Sequence, residues 1–250
     1  MPPLSFYADI HLLKFRLIKH WGRKYPSLPF WRLWWNDRPG GSVKMGETVY
    51  HLTQETLLLI PPHTPCHRFL NTPLYHFYCH FNLGLPWDLV RNRIFELAAP
   101  PHIESIIADA TTQRDTVAQF ATGEILMGAF RQIPTHIFEH LVFDERIQIA
   151  ISHMEANIHR HVPNSEFAQL LHLTANTFVR LFKSQTGISP QAFHKQMRLD
   201  RAAILLTQHT HMTIEEVAEA TGFYDRHHLA RAFRKRYAYS PATYRRLVRK

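Results

Sequence analysis

The sequence predicts two folded domains of different class. The first is an N-terminal antiparallel β domain, a barrel or jelly roll. The second is a C-terminal all-α domain with two helix-turn-helix motifs, and a helical segment joins the two. Three observations predict this. Short aromatic and β-branched runs alternate with turn residues up to about residue 97. An apolar stripe at helical spacing follows. Beyond it, one helical unit occurs twice, offset by 51 residues. Composition agrees with a packed core: 45% of the 250 residues are hydrophobic and 20% are charged, which excludes a mainly disordered chain. No apolar run reaches the length needed to span a bilayer. The opening Met1, Pro2 and Pro3 lack the layout of a signal peptide, so the expectation is a cytoplasmic protein.

The expected strands are His11 to Ile18, Phe30 to Asn36, Thr48 to Leu52, Thr56 to Ile60, His67 to Leu70 and Tyr75 to Phe81. Asp37 to Gly41 and Ile60 to His63 interrupt them with proline and glycine. From Pro100 to Glu145 the chain reads as helices. Phe120, Ile125, Leu126, Ala129, Phe130 and Ile133 form the apolar stripe there. Ile147, Ile151, Met154 and Ile158 then open the last domain.

The repeat aligns residues 178–193 with 229–244. Arg180 meets Arg231, Phe182 meets Phe233, Lys183 meets Arg234, Ser189 meets Ser240 and Pro190 meets Pro241. Each unit reads as a short helix, a tight turn and a second helix. Asn164 and Thr174 are expected N-caps in the first unit, and Gly187 is its stop. Ser189 and Pro190 start a long helix. Thr213 and Glu216 have capping-box spacing in the second unit, where Gly222 turns and Asp225 caps. On each second helix the phenylalanines face inward. The other face offers guanidinium, amide and imidazole groups to base edges and phosphates.

Charge points the same way. Residues 147–250 hold 15 Lys and Arg against 7 Asp and Glu, whereas residues 1–146 hold 14 against 13. A basic domain beside a neutral one implies a polyanion for the basic part. The two cysteines, Cys66 and Cys79, are too few for a disulfide framework and read as buried thiols.

The ordered series Arg180 to Lys183, Gly187 to Pro190, Arg198 with Leu199, Ile214 to Ala218, Gly222 with Phe223, Arg231 to Arg234, and Ser240 with Pro241 resembles the DNA-binding domain of the AraC/XylS family of bacterial transcription regulators. The resemblance implies that Asn176, Val179 and Arg180 read bases in one major groove, and His227, His228 and Arg231 in the next. Thr174, Lys183, Arg234 and Lys235 are then the phosphate contacts. Two residues depart from the pattern. His172 stands where the first motif often turns on glycine, and Ala238 stands where the first unit has Gly187.

The N-terminal strand order resembles the cupin-like effector domain of AraC-type sugar regulators. That resemblance rests on Tyr50 to Leu52, Leu57 to Pro62, His67 and the aromatic strand Tyr75 to Phe81. It implies a small-molecule pocket lined by Arg68, His76 and Tyr78, with a sugar as the ligand that the family suggests. His51, His63, His67, His76 and His80 raise the question of a metal. No His-x-His with a following Glu completes a cupin metal pattern. His76 and His80 share a strand face but stand about 13 Å apart along it. The expectation is no metal, no cofactor and no catalytic residue.

The predicted organisation is therefore residues 1–98 as effector domain, 99–145 as helical linker and dimerisation segment, and 146–250 as DNA-binding domain, with motifs at about 164–186 and 213–237. The predicted function is a sequence-specific regulator of promoter DNA, controlled by a small molecule and acting as a homodimer. Activation would add a contact with RNA polymerase, which no motif declares, and no membrane is involved. Two rivals are an effector-independent DNA-binding protein and a cupin-type metalloenzyme with an accessory DNA-binding domain.

Overall fold

The computed structural model describes residues 7–21, 26–112, 116–139 and 143–248. The chain divides into two compact units, Met1–Leu141 and Val142–Lys250.

The first unit is built on two antiparallel sheets. Its strands are β1 (Asp9–Ile18), β2 (Trp31–Asn36), β3 (Gly41–Met45), β4 (Thr48–Leu52), β5 (Thr56–Ile60), β6 (His67–Leu70), β7 (Leu74–Asn82) and β8 (Phe95–Ala98). One sheet has the order β1-β7-β2-β5-β8, the other β4-β3-β6. Sequence patterning missed β3 and β8. β3 carries one β-branched residue, Val43, and follows directly on a Pro-Gly-Gly break. β8 is only four residues long.

The larger sheet is buried on both faces, which is why every residue of β2 is buried. On one face Trp31, Leu33, Trp35, Leu57, Leu59, Phe77, Cys79 and Phe81 pack with Ile103 and Ile107 of α1 (Ile103–Thr112) and Ile125, Leu126 and Ala129 of α2 (Thr116–Phe130). On the other face Trp34, Leu58, Ile60 and Tyr78 pack with Val43 and Leu52 of the smaller sheet. Strand side chains alternate between faces, so the odd residues of β2 meet the helices and the even ones meet the smaller sheet.

Helices α1, α2 and α3 (His136–Glu139) lie in the first unit, while α4 (Glu145–Ala156) lies in the second. Ile125, Leu126, Ala129 and Ile133 of the predicted stripe are buried against the sheet. Phe120 is not: it is 74% exposed, beside exposed Val117 and Met127.

The second unit contains α4, α5 (Asn164–Leu170), α6 (Ala175–Thr186), α7 (Pro190–Gln208), α8 (Ile214–Ala220), α9 (Arg226–Tyr237) and α10 (Pro241–Val248). The caps follow the sequence at most ends. Thr174, Ser189, Thr213 and Asp225 each accept the backbone N–H of the third residue of their helix. Thr213 and Glu216 close a full capping box. Asn164 differs from expectation. It is the first helical residue of α5, after Pro163, and its Oδ1 accepts from Gln191 Nε2 at 3.0 Å. No helix of the described residues is long and apolar enough to cross a membrane.

Candidate DNA interface and inter-sheet site

Between the two sheets of the first unit lies a polar cluster. The register places Arg32 opposite His80, Trp34 opposite Tyr78 and Asn36 opposite His76. All six therefore line one sheet face. Arg68, opposite Val43 on β6, joins them from the smaller sheet. The sequence-predicted trio meets here: His76 stacks on Tyr78 with centroids 5.4 Å apart, and the Arg68 charge acts on His76. His80 flanks Tyr78 on the other side at 5.4 Å. Trp21 packs edge-on against His76 at 4.8 Å, under the Arg68 guanidinium. A Cβ on Gly41 would come within 2.5 Å of the Asn36 amide nitrogen, so glycine there leaves room for that side chain.

Sequence reading missed Arg32, Asn36 and His80 as members of this group. The available signal was the alternation Arg32, Trp34, Asn36 on a strand facing its neighbour's His76, Tyr78 and His80. Arg32 is 1% exposed. It donates to the Thr64 carbonyl at 2.9 Å and the Pro61 carbonyl at 3.4 Å, and it lies over the Trp34 ring. Burial, reinforced by Arg68 and Arg16, pulls the His76 pKa down to about 3; burial and Arg32 pull His80 well below the usual imidazole range. Both rings are neutral at pH 7, and because the Asn36 Oδ1 only accepts, His76 Nδ1 is the donor to it at 2.8 Å. Among the described residues no three His, Cys, Asp or Glu side chains are grouped to hold a metal. His51 and His67 are exposed and His63 half-buried.

The second unit presents two helix-turn-helix motifs, α5 with α6 and α8 with α9. Phe178 and Phe182 bury one side of α6; Leu229, Phe233 and Tyr237 bury one side of α9. The opposite sides stay open. Asn176, Arg180 and Lys183 are exposed on α6 with Val179 half-buried; His227, Arg231, Arg234 and Lys235 are exposed on α9 with His228 half-buried. His228 is held by its place at the helix start. Its N–H donates to the Asp225 carboxylate at 2.6 Å, and its ring meets Phe223 edge-on. The Thr174 hydroxyl caps α6 and lies 2.9 Å from the Thr177 hydroxyl.

The long helix α7 fixes both motifs. Gln191 Nε2 donates to the Val162 carbonyl at 2.7 Å, just before α5. Arg198 is buried near the helix middle. It donates to the Thr221 carbonyl at 2.6 Å and to the Gly222 carbonyl, and stacks on Phe223. Arg236 is likewise committed, with both Asp200 oxygens within 2.9 Å.

Comparison with known proteins matches residues 167–247 to a family model described as a helix-turn-helix domain. Over 68 residues the chain is 43% identical to the HTH-type transcriptional regulator MtrA of Neisseria gonorrhoeae, covering 27% of this chain and 22% of that protein. Over 98 residues it is 30% identical to the HTH-type transcriptional activator RhaS of an Enterobacter species, covering 39% and 35% respectively. The C-terminal unit is an AraC-type helix-turn-helix domain. The matched stretches span less than half the length of these relatives. The two-domain fold is also similar to ToxT of Vibrio cholerae, with a TM-score of 0.61 at 9% identity over 94% of this chain and 98% of that one.

Within the AraC-type domain the two departures from pattern keep the backbone of the glycines they replace. His172 has φ 53° and Ala238 has φ 64°, close to Gly222 at 67° and Gly187 at 78°. Both non-glycine residues thus accept a left-handed conformation, at a cost of about 1 kcal/mol each. The motif geometry survives because the buried phenylalanines hold it.

Proposed function

We propose that this chain is a DNA-binding transcription regulator whose N-terminal unit senses a small molecule. One observation carries the DNA reading. The two recognition helices each bury their aromatic side and leave an exposed cationic side, with Arg180 and Arg231 at equivalent points of the repeat. Asn176, Val179, Arg180, His227, His228 and Arg231 are the base readers in this reading, and Thr174, Lys183, Arg234 and Lys235 hold phosphates. The partner is double-stranded promoter DNA, reached in the cytoplasm.

Effector control is supported by the buried polar cluster between the sheets, where Arg68, His76 and Tyr78 meet. One ToxT structure is described as bound to (E)-4-(8-methylnaphthalen-1-yl)but-3-enoic acid, so a protein of this fold takes a small organic molecule. A ligand changes the regulator only through different affinity for its two states. A homodimer completes the reading. The exposed Val117, Phe120 and Met127 on one side of α2 support it, and linking two DNA-binding domains raises affinity.

The test is selection of binding sites from random DNA by the full chain, followed by affinity for the selected site and for random duplex. A preference of roughly a thousandfold or more is expected of a specific regulator. Equal affinity for both would replace this reading with that of a non-specific DNA binder. Sedimentation of the wild type and Phe120→Glu checks the dimer: a monomeric wild type would remove it.

A further inference from the structure

The polar cluster between the sheets is unusual in what it lacks. Among the described residues, four buried nitrogen atoms on one sheet face have no hydrogen-bond partner: Arg32 Nε, Trp34 Nε1, Asn36 Nδ2 and His80 Nδ1. Their residues are 1%, 1%, 0% and 4% exposed. A buried donor without a partner costs about 1–3 kcal/mol, more when it carries charge. Such groups are few in native proteins and call for an explanation. Three of the four are obligate donors, since a guanidinium, an indole and an amide NH2 accept nothing.

Charge has the same sign throughout. Arg32 touches two carbonyls, a thiol and the Trp34 ring and, among the described residues, no carboxylate. The cations near His76 are Arg68 and Arg16; those near His80 are Arg32 and Arg68. Arg16 also lies over the Tyr78 ring at 5.7 Å. The nearby carboxylates are placed elsewhere. Asp37 holds Arg38 and the Tyr75 N–H, Asp9 is paired with His11, and Glu96 is exposed on the edge strand β8. Around the donors stand the Trp21, Trp34 and Tyr78 rings.

A neutral polyol both donates and accepts. It would meet a wall that mostly donates and carries positive charge. A carboxylate only accepts, and it forms its strongest hydrogen bonds with guanidinium. We propose that the effector is an organic acid, its anionic head taken by Arg32 with Trp34 Nε1, and its apolar body packed on the aromatic rings. This names the ligand class within the effector site proposed above and rests on that reading. It replaces the sugar that the family resemblance suggests.

All five tryptophans, Trp21, Trp31, Trp34, Trp35 and Trp87, lie in the first unit. Their fluorescence therefore reports on this site in the full chain. The experiment titrates the full chain with phenylacetate, hexanoate and inorganic phosphate, and with the neutral phenylacetamide, hexanamide and arabinose. At least one carboxylate is expected to bind about tenfold or more tighter than its own amide, a difference of about 1.4 kcal/mol. Inorganic phosphate binding as well as the carboxylates would assign the charge contact alone and overturn the role of the aromatic rings. Arg32→Met should abolish the preference for acid over amide. Trp34→Phe, which removes the indole N–H and keeps a ring, should weaken the acid more than the amide; this second variant serves if Arg32→Met fails to fold. Amides or arabinose binding as tightly as the acids, or no response to any acid, would overturn the proposal. Specific DNA binding in the same preparation separates the two failures. If it persists while no acid binds, the ligand class is wrong and the regulator stands. If it is absent while an acid binds, the regulator reading is wrong and the anion site stands.

Discussion

Arginines in the AraC-type domain do different work according to what surrounds them. Arg231 is exposed on the outer side of α9, whereas Arg236, five residues on, is bound through two nitrogens to Asp200. Arg231→Ala is expected to weaken binding to a selected site by about 1–3 kcal/mol and to relax one base preference, with little change in thermal midpoint. Equal losses on specific and random DNA would move Arg231 to the phosphate contacts. Arg236→Ala should instead lower stability, because it removes the guanidinium that binds both oxygens of a half-buried carboxylate. Backbone conformation separates residues in the same way. Ala238→Gly should raise stability by about 1 kcal/mol, since glycine adopts the left-handed conformation without penalty. Gly222→Ala should lower it by more than that. The new Cβ would come within 2.6 Å of the His159 backbone, on top of the φ cost. Urea unfolding of the three chains measures both effects, and a neutral Gly222→Ala would show that the turn can shift.

At the scale of elements, α7 is the part that makes two motifs one domain. Its middle reaches the turn of the second motif through Arg198, and its start reaches the entry to α5 through Gln191. Arg198→Met keeps the length of the side chain but leaves the Thr221 and Gly222 carbonyls without that donor. A loss of about 2–3 kcal/mol is expected. DNA binding should fall through the second motif, so bases read by α9 should lose preference before those read by α6. A uniform loss across the site would mean that Arg198 stabilises the whole domain rather than the seat of one helix. The capping signals that mark these helices were legible in sequence because a cap is a local interaction, between residues two or three apart. Asn164 shows the limit of that logic. Its side chain serves Gln191, 27 residues away, and no local rule announces such a partner.

At the scale of the whole molecule, acid is expected to destabilise the N-terminal unit. His76 and His80 have folded pKa values far below the ordinary 6.5, so the unfolded chain takes up protons that the folded one refuses. Stability is therefore intact above pH 6.5 and falls as pH drops below it. At pH 5 His76 alone accounts for about 2 kcal/mol. Asp88 works in the opposite direction. Burial raises its pKa from 3.8 to about 6, against hydrogen bonds from Trp31, Asn82, Leu83 and Gly84, so acid recovers about 1 kcal/mol there. The two histidines outweigh the one aspartate. Urea midpoints read by tryptophan fluorescence should fall between pH 7 and pH 5, and a midpoint that rises over this range would place Asp88 in control.

By itself the sequence determined the two domain classes, the doubled helical motif, its caps and the exposed cationic side of each second helix. These are properties of spacing: a period of two or of 3.6, a repeat of 51 residues, a glycine or Ser-Pro pair at a helix end. Tertiary structure decided which strands pair, that α1 and α2 cover one face of the larger sheet, and that Arg32, Asn36 and His80 share the other face with Arg68, His76 and Tyr78. The physical reason is register. Residues 32 and 80 are far apart in the chain and become neighbours only when β2 and β7 pair, and a shift of one residue would have turned every one of these polar groups toward the helices.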